Sequence, residues 1–278
     1  MPLRVLTLNL WHDMGPWPVR AARIRAWLDR LDPDVVGFQE ALRAPGFDQI
    51  AALLEHRLPH RDYARAAILK RDGGEFEFGN AIASRWPIVG RAAAALPDRG
   101  DHETRAVLHC DVDAPFGPLA LCCTHLHWRF HHGEVRCRQV AEVARQVVAR
   151  RPKGGFPPVL VGDFNAEPDS DEIRYLTGGH VLEGKSVYFH DAWRVAGEGS
   201  DGVTWSNRNP YARLALEPNR RIDYVFAGYP LASGLGLVER CRVVCDDEEG
   251  GVWPSDHFGV YAELRCDPLP DAARTPTM

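Results

Sequence analysis

The sequence predicts an α/β fold contained in one domain, and three observations lead to that prediction. Short apolar runs typical of buried strands alternate with stretches whose apolar residues recur at helical spacing. Several runs stop at polar residues, as in Val159 to Gly162 followed by Asp163-Phe164-Asn165, and open α/β sheets carry their sites at such strand ends. No linker or internal repeat divides the 278 residues, so we expect one domain over residues 1–266 and a mobile tail over 267–278.

The amino-terminal elements follow from these two patterns. An apolar stripe that ends at Leu31 predicts a helix over residues 19–31, and a second stripe predicts a helix over 47–54. Residues 71–79, which contain adjacent glycines, are predicted to form a loop. Buried strands are predicted over residues 3–10, 34–38, 80–84 and 106–112.

The carboxyl-terminal part continues in the same way. A helix is predicted over residues 134–150 from its valine and alanine stripe. Residues 177–220 are rich in Gly, Asn and Arg and too long for a simple connection, so we interpret them as functional decoration of the fold. Further strands are predicted over residues 119–124, 159–163, 222–227 and 258–264.

Six of the buried segments end in, or adjoin, a residue type that binds metal or moves protons. Any one of them could merely cap the loop beside it, but six in one chain indicate a shared site. These residues are Asn9, Glu40, His125, Asp163 with Asn165, Asp223, and Asp256 with His257.

The residue types suit phosphoryl transfer. Glu40 is a hard oxygen donor of the kind that Mg²⁺ prefers, whereas no Cys or His cluster has zinc-ligand spacing. His257 could act as a general base if Asp223 fixes its tautomer, and Asp163 could position the attacking water. Asn165 and His125 could then donate hydrogen bonds to non-bridging phosphate oxygens.

Composition limits the other classes of function. The net charge of −5 gives no global basic field for nucleic acid but leaves small phosphoesters open. Seven cysteines without a Cys-x-x-Cys pair argue against a disulfide framework and a structural zinc site. No apolar stretch reaches the length of a membrane span, and Met1 to Arg4 leads straight into a strand, so we expect a cytoplasmic protein.

An ordered set of motifs resembles the endonuclease/exonuclease/phosphatase superfamily, which includes deoxyribonuclease-like metal-dependent phosphoesterases. The resemblance runs from residue 3 to about 265, and the motifs occur in the family's order. They are Leu8-Asn9, Phe38-Gln39-Glu40, Thr124-His125-Leu126, Gly162-Asp163-Phe164-Asn165, Arg221-Ile222-Asp223-Tyr224 and Ser255-Asp256-His257.

This resemblance implies a four-layered α-β-β-α sandwich, in which two packed mixed sheets are flanked by helices, and phosphoester hydrolysis with Mg²⁺ or Mn²⁺. Glu40 then resembles the main metal ligand, with Asp256 beside the metal, and Asn9 both neighbours the metal and orients Asp163. The implied roles of the others are a base dyad, Asp223 with His257, and phosphate binding by His125, Asn165 and His257.

Five further side chains are candidates for substrate binding, each with a plainer alternative. Trp205 could stack on a base or pack into the core, and Trp128 could form an apolar wall or pack on the sandwich. Arg105 could reach a phosphate or pair with a carboxylate. Tyr211 and Arg221 belong to the same aromatic and basic stretch as Trp205. The acidic run Asp246 to Glu249 would disfavour a polyanion if it lined the cleft.

We therefore expect a monomeric, divalent-metal-dependent phosphoesterase that acts by in-line attack of water. A small-molecule or lipid phosphoester is favoured over DNA or RNA, for which an endo- or exonuclease is the alternative. A catalytically inactive phosphate-binding scaffold and a zinc-dependent binding module are more distant alternatives.

Overall fold

Two mixed β-sheets pack face to face in a computed structural model that describes residues 1–71, 74–152 and 154–270. The first sheet has the strand order β12-β13-β1-β2-β5-β4, with β3 pairing β2. Strands β1 and β2 run parallel and the other neighbours antiparallel. Its strands are β1 (Leu3–Asn9), β2 (Val35–Ala44), β3 (Phe47–Asp48), β4 (His60–Arg71), β5 (Gly74–Ser84), β12 (Val238–Val244) and β13 (Gly259–Leu264).

The second sheet has six strands among the described residues, in the order β10-β11-β9-β8-β7-β6. Here β8 and β9 are the parallel pair. Its strands are β6 (Ile88–Ala95), β7 (Ala106–Ala114), β8 (Gly117–His125), β9 (Val159–Asp163), β10 (His190–Asp191) and β11 (Asp223–Ala227).

Helices cover the outer face of each sheet. One apolar cluster lies between the sheets and joins residues such as Val5 and Val161. A second cluster packs α1 and α2 on the first sheet, and a third packs α3 and α4 on the second. The predicted four-layered sandwich is therefore confirmed. The helices are α1 (Trp17–Leu31), α2 (Gln49–Leu54), α3 (Gly133–Ala149), α4 (Asp171–Leu176), α5 (Ala192–Ala196) and α6 (Pro210–Arg213).

Two glycines let the backbone approach closely just before candidate site residues. A Cβ at Gly37 of β2 would lie 2.3 Å from Val161 Cγ2 on the opposing sheet. Gly162 has a φ of +154°, and a Cβ there would lie 2.0 Å from the Thr124 carbonyl oxygen of the parallel neighbour β8. Glycine at these positions therefore sets the spacing of the strands that carry Glu40 and Asp163.

The predicted loop over 71–79 is wrong, because its described residues belong to the β4–β5 hairpin. Strands β4, β6 and β12 were not predicted at all. All three lie at sheet edges and are only partly buried, so their charged and alanine-rich sequences lack the apolar signature of central strands. Residues 177–220 are irregular apart from three short elements, as expected.

The described part of the predicted tail makes contacts with the domain. Asp267 accepts a hydrogen bond from the amino-terminal ammonium group at 2.7 Å, and the Leu269 N–H donates to the Ser233 carbonyl at 2.7 Å. Residues 271–278 lie outside the described residues, and the division into one domain and a mobile tail stays a prediction. In the part of the chain that the structure describes, no helix combines the length and hydropathy needed to cross a membrane.

Candidate active site

The candidate residues meet at one end of the two sheets because of strand direction. Asn9, His125 and Asp163 end parallel strands, whose carboxyl ends point the same way. Asp223 instead begins β11, which runs antiparallel and places it opposite Asp163. His257 likewise precedes β13, the antiparallel neighbour of β1. Residues at the carboxyl ends of some strands and residues at or just before the amino ends of others therefore reach one site.

Glu40 lies within β2 (Val35–Ala44), which corrects the prediction that the strand covers residues 34–38 and ends at Gln39-Glu40. Residues 39 and 40 together oppose the single residue Asn80 of β5, because the pairing shifts register between Phe38 and Ala41. Glu40 adopts a φ of 58° in this β-bulge, a conformation uncommon for residues other than glycine. A bulge of this kind re-aims a side chain, and here Glu40 lines the cleft.

Asp163 is the centre of the hydrogen-bond network. Its Oδ2 accepts from Asn9 Nδ2 at 3.0 Å, and its Oδ1 accepts from the Asn165 N–H at 2.9 Å. His125 Nε2 lies 3.3 Å and His257 Nε2 3.7 Å from Oδ2. Burial and the nearby Asp223 raise the pKa of Asp163 to about 7, although His257 and the donated hydrogen bonds oppose the rise.

His257 lies between two carboxylates. Its Nδ1 is 2.9 Å from Asp223 Oδ2, while its Nε2 faces Asp163. Burial alone would lower the pKa of His257, but the two carboxylates outweigh burial and raise it to about 10. The imidazolium form is therefore the stable one near neutral pH.

His125 is neutral, because its surroundings shift its pKa in the opposite direction to that of His257. Burial, and then the Arg105 guanidinium, lower its pKa well below the usual value. Arg105 Nη1 lies 3.2 Å from His125 Nδ1, so Nδ1 is the acceptor, while Nε2 lies 3.1 Å from Asn165 Nδ2 and 3.3 Å from Asp163 Oδ2. Arg105 Nη2 also pairs with Glu103 at 2.7 Å. The carboxylate pairing considered for Arg105 is thus present, and it lies within the cleft.

Glu40 and Asp256 form a second carboxylate pair in the same cleft. Burial, and then the charge of Glu40, raise the pKa of Asp256 to about 6, and burial raises the pKa of Glu40. Mutual repulsion in a poorly solvated position favours a cation between them. Only oxygen atoms are offered by this pair, a donor chemistry that fits Mg²⁺ or Mn²⁺. Asn9 Oδ1 accepts the Trp11 N–H at 2.9 Å, so Asn9 suits orientation of Asp163 more directly than metal ligation.

Another group with metal-ligand chemistry, made of Asp101, His127 and His132, lies outside this network. His127 Nε2 lies 3.3 Å from Asp101 Oδ2 and 3.1 Å from His132 Nδ1. However, His127 Nδ1 accepts the Arg129 N–H at 3.2 Å, so the ring proton of a neutral His127 belongs on Nε2. That proton blocks the lone pair a cation would need, and the group is better described as a hydrogen-bonded contact between two loops.

The cleft has a volume of about 490 Å³ and contains most of the predicted site residues. Trp128 lines it and is half-exposed, whereas Trp205 is buried and packs edge-on against His257 with 4.8 Å between ring centroids. Tyr211 does not line the cleft but contacts the cleft-lining Trp11, with ring centroids 4.8 Å apart and ring planes tilted by 30°. Lining residues that the sequence analysis did not single out include Trp11, His12, Phe78, Glu217 and Arg220.

The prediction that Arg221 binds substrate is corrected by its partner. Both terminal nitrogens of Arg221 donate to Asp191, at 3.1 and 2.7 Å, in a buried ion pair outside the residues that line the cleft. Arg220 lines the cleft instead and pairs with Glu217. Neighbouring side chains on an extended segment point to opposite sides, and this alternation was the signal that could have separated the two arginines.

The acidic run Asp246 to Glu249 also lies outside the residues that line the cleft. Asp247 and Glu249 form ion pairs with Arg23 of α1 at 2.6 and 2.5 Å, and Asp247 accepts the Trp27 indole N–H at 2.9 Å. These carboxylates hold the loop on the first helix. They give no reason to expect repulsion of a polyanion from the cleft.

Comparison with known proteins identifies the family. The model of the Endonuclease/Exonuclease/phosphatase family matches residues 6–257. A solved structure of an endonuclease/exonuclease/phosphatase from Beutenbergia cavernae DSM 12333 is 29% identical, with a TM-score of 0.73, covering 98% of this chain and 74% of that one.

Two curated relatives are also similar. Protein angel of Drosophila melanogaster is 27% identical over 188 residues, 62% of this chain and 50% of that protein. A putative neutral sphingomyelinase of Caenorhabditis elegans is 26% identical over 310 residues, 95% of this chain and 67% of that protein. The chain thus spans half to two thirds of these relatives. The match over residues 6–257 establishes that the chain belongs to the Endonuclease/Exonuclease/phosphatase family.

Proposed function

We propose that the protein hydrolyses a phosphoester by in-line attack of water, with a divalent metal ion, and that its substrate is a small-molecule or lipid phosphoester. One observation carries the proposal. Asp163 lies within 3.3 Å of Asn9, Asn165 and His125, next to the His257–Asp223 pair, in the same cleft as Glu40 and Asp256.

The pKa directions favour a particular division of labour. Asp163, whose pKa is raised by burial and by the nearby Asp223, is suited to orient the attacking water and accept its proton. His257, held as imidazolium by Asp223, is suited to donate to a phosphate oxygen. This favours the phosphate-binding role of His257 over its role in a base dyad. Asn165 and the neutral His125 supply further donors, and Asn9 keeps the Asp163 carboxylate oriented.

Glu40 and Asp256 are the residues that would hold the metal. A bound Mg²⁺ or Mn²⁺ would stabilise the negative charge that develops on the phosphoryl oxygens. Members of this family generally depend on a divalent metal, which supports the assignment. Arg105, Trp128, Trp205 and Tyr211 are the proposed contacts for the rest of the substrate.

Similarity to a protein named a putative neutral sphingomyelinase over 95% of the chain supports the lipid phosphoester, as does the net charge of −5. A nuclease is the second candidate, because Trp11 and Trp128 line the cleft and offer aromatic side chains on which bases could stack. Nuclease activity should fall steeply with salt, whereas cleavage of a small diester should not.

Hydrolysis of bis(p-nitrophenyl) phosphate with Mg²⁺ or Mn²⁺, and its loss with chelator, tests the proposal. Asp163→Asn removes the proton acceptor but keeps the side-chain shape, so we expect turnover to fall by about 10² to 10⁴-fold. Asp113→Asn, at an exposed strand position, is the matched control and should retain full activity. Equal turnover by Asp163→Asn and wild type would refute the role of Asp163. Absence of hydrolysis would favour the catalytically inactive scaffold, and hydrolysis that persists with chelator would refute the metal dependence.

A further inference from the structure

Two loops at the mouth of the cleft expose large apolar side chains. We call them the rim loops and define them as residues 128–131 and 213–216. Leu214 is 80% and Leu216 92% exposed, and Phe130 and Trp128 are 50% and 43% exposed. Isolated exposed hydrophobic residues are ordinary, but a group beside a candidate active site indicates a binding surface.

The rim loops lie side by side. The Arg220 guanidinium carbon sits 4.3 Å from the centroid of the Phe130 ring and thereby joins the segment after α6 to the loop after β8. Trp128, Glu217 and Arg220 all line the cleft, and Leu216 directly precedes Glu217. The exposed surface is therefore continuous with the site.

A tight turn holds the leucines outward. The Ala215 N–H donates to Ala212 O at 3.0 Å and the Leu216 N–H to Arg213 O at 3.2 Å, which continues α6 into a closed turn. Leu216 has a φ of 59°, in the left-handed region that is costly for a residue with a Cβ. The chain thus maintains a strained conformation in which this side chain faces water.

The charge of the rim loops is opposite to that of the whole protein. Arg129 and Arg213 are exposed, and neither forms an ion pair within the described residues. The rim loops contain no carboxylate, and the nearby Glu134 and Glu217 are paired with Arg138 and Arg220. The protein as a whole carries −5. Exposed Leu, Phe and Trp together with Arg are typical of surfaces that lie in a membrane interface and contact anionic headgroups.

We infer that the rim loops bind the surface of a bilayer containing anionic lipids, so that a lipid phosphoester enters the cleft from the membrane. The entry of a lipid substrate into the cleft rests on the proposed function, whereas binding to the membrane surface does not depend on it. Single-stranded nucleic acid fits less well, because leucine side chains neither stack on bases nor donate hydrogen bonds.

Sedimentation with vesicles tests the binding. Wild-type protein should sediment with phosphatidylcholine vesicles that contain roughly 30% phosphatidylserine, and less with phosphatidylcholine alone. The double variant Leu214→Gln/Leu216→Gln should partition at least about tenfold more weakly. The matched control Val89→Gln/Val148→Gln, which changes two exposed valines outside the rim loops, should bind as wild type does.

Replacement of the cations separates the two contributions. Arg129→Gln/Arg213→Gln should weaken binding to phosphatidylserine vesicles roughly fivefold per arginine and leave binding to neutral vesicles unchanged. Absence of wild-type binding, or equal binding by the leucine variant and wild type, would overturn the inference. If the protein bound oligothymidine more tightly than vesicles, and the leucine variant lost that binding, the rim loops would be a nucleic-acid surface instead.

Hydrolysis of the soluble diester distinguishes this inference from the proposed function. The leucine variant should cleave bis(p-nitrophenyl) phosphate at the wild-type rate while losing activity on vesicle-borne phospholipid. Vesicle binding by a wild-type protein that cleaves neither substrate would contradict the proposed function and leave the membrane surface supported.

Discussion

Arg20 shows how much one buried side chain contributes to the shape of the cleft. It is fully buried on α1, and its guanidinium donates to three backbone carbonyls, those of Leu10, His12 and Met14. Burial lowers its pKa to about 10, so it remains a cation at neutral pH, near Asp256. Arg20 thereby holds the loop that carries Trp11 and His12 at the cleft wall.

We expect Arg20→Leu to lower the free energy of unfolding by about 3 kcal/mol or more, because it leaves three backbone carbonyls without a donor and removes a cation near Asp256. Urea denaturation measures the change. Arg145→Leu is the control, since this arginine is exposed on α3 and pairs with Glu142 at the surface, and it should leave stability close to that of the wild type. A similar small change for both variants would show that the three carbonyls need no such donor.

His109 should make stability depend on pH. It is buried in β7, with Nδ1 3.1 Å from Cys122 Sγ and Nε2 2.8 Å from Asp111. Burial lowers its pKa below the ordinary 6.5, although Asp111 opposes the shift. Below pH 6.5 the unfolded chain therefore binds a proton that the folded protein resists, so stability present above that pH is lost on acidification.

We expect His109→Gln to reduce the fall in Tm between about pH 7.5 and about pH 5.5, because the titrating group is gone. Thermal denaturation across this range measures it. The control is His56→Gln, at an exposed position. An unchanged or steeper fall in His109→Gln, relative to wild type, would contradict the assignment.

Strand β2 combines two features that sequence patterns describe poorly. Its bulge at residues 39 and 40 is invisible in the apolar run before it, because a bulge depends on how β5 pairs across it. A glycine is needed at position 37 because a Cβ there would overlap Val161 of the opposite sheet, a residue distant in sequence. Both features place Glu40, and both are tertiary in origin.

A double-mutant cycle tests the contact between the sheets. Gly37→Ala should destabilise the protein by about 1–3 kcal/mol, because the new methyl group overlaps Val161. Val161→Ala removes the overlapping methyl groups, so the double variant should lose less than the sum of the two single changes. Additive losses measured by urea denaturation would show that the clash at Gly37 arises from another neighbour, such as Cys123.

The whole molecule should gain stability if it binds the proposed divalent metal ion. Glu40 and Asp256 come from the beginning and the end of the chain, so a cation between them binds the folded state and not the unfolded one. We expect Mg²⁺ or Mn²⁺ at about 100 times its Kd to add about 2.7 kcal/mol, which raises Tm by several degrees and is reversed by chelator.

Thermal denaturation with and without metal measures this shift. Glu40→Gln and Asp256→Asn should each abolish most of it. Asp101→Asn, which changes the carboxylate beside His127 and His132, should retain it. If the shift were lost in Asp101→Asn and kept in Glu40→Gln, the metal would belong to the histidine group.

The central strands, the larger helices and the ordered polar residues were predictable from the sequence, because buried strands and amphipathic helices leave periodic apolar patterns in the chain itself. Edge strands β4, β6 and β12 were not, since a strand that is half solvated carries no such pattern.

Which side chains reach the cleft depended on long-range packing. Arg220 lines the cleft and Arg221 pairs with Asp191, because the two side chains point to opposite sides of their segment. The acidic run contacts α1, which lies more than 200 positions away in the sequence. The residue types that carry out the chemistry could be identified from the sequence alone. Their convergence on one cleft could not, because it brings distant residues together only when the two sheets are assembled.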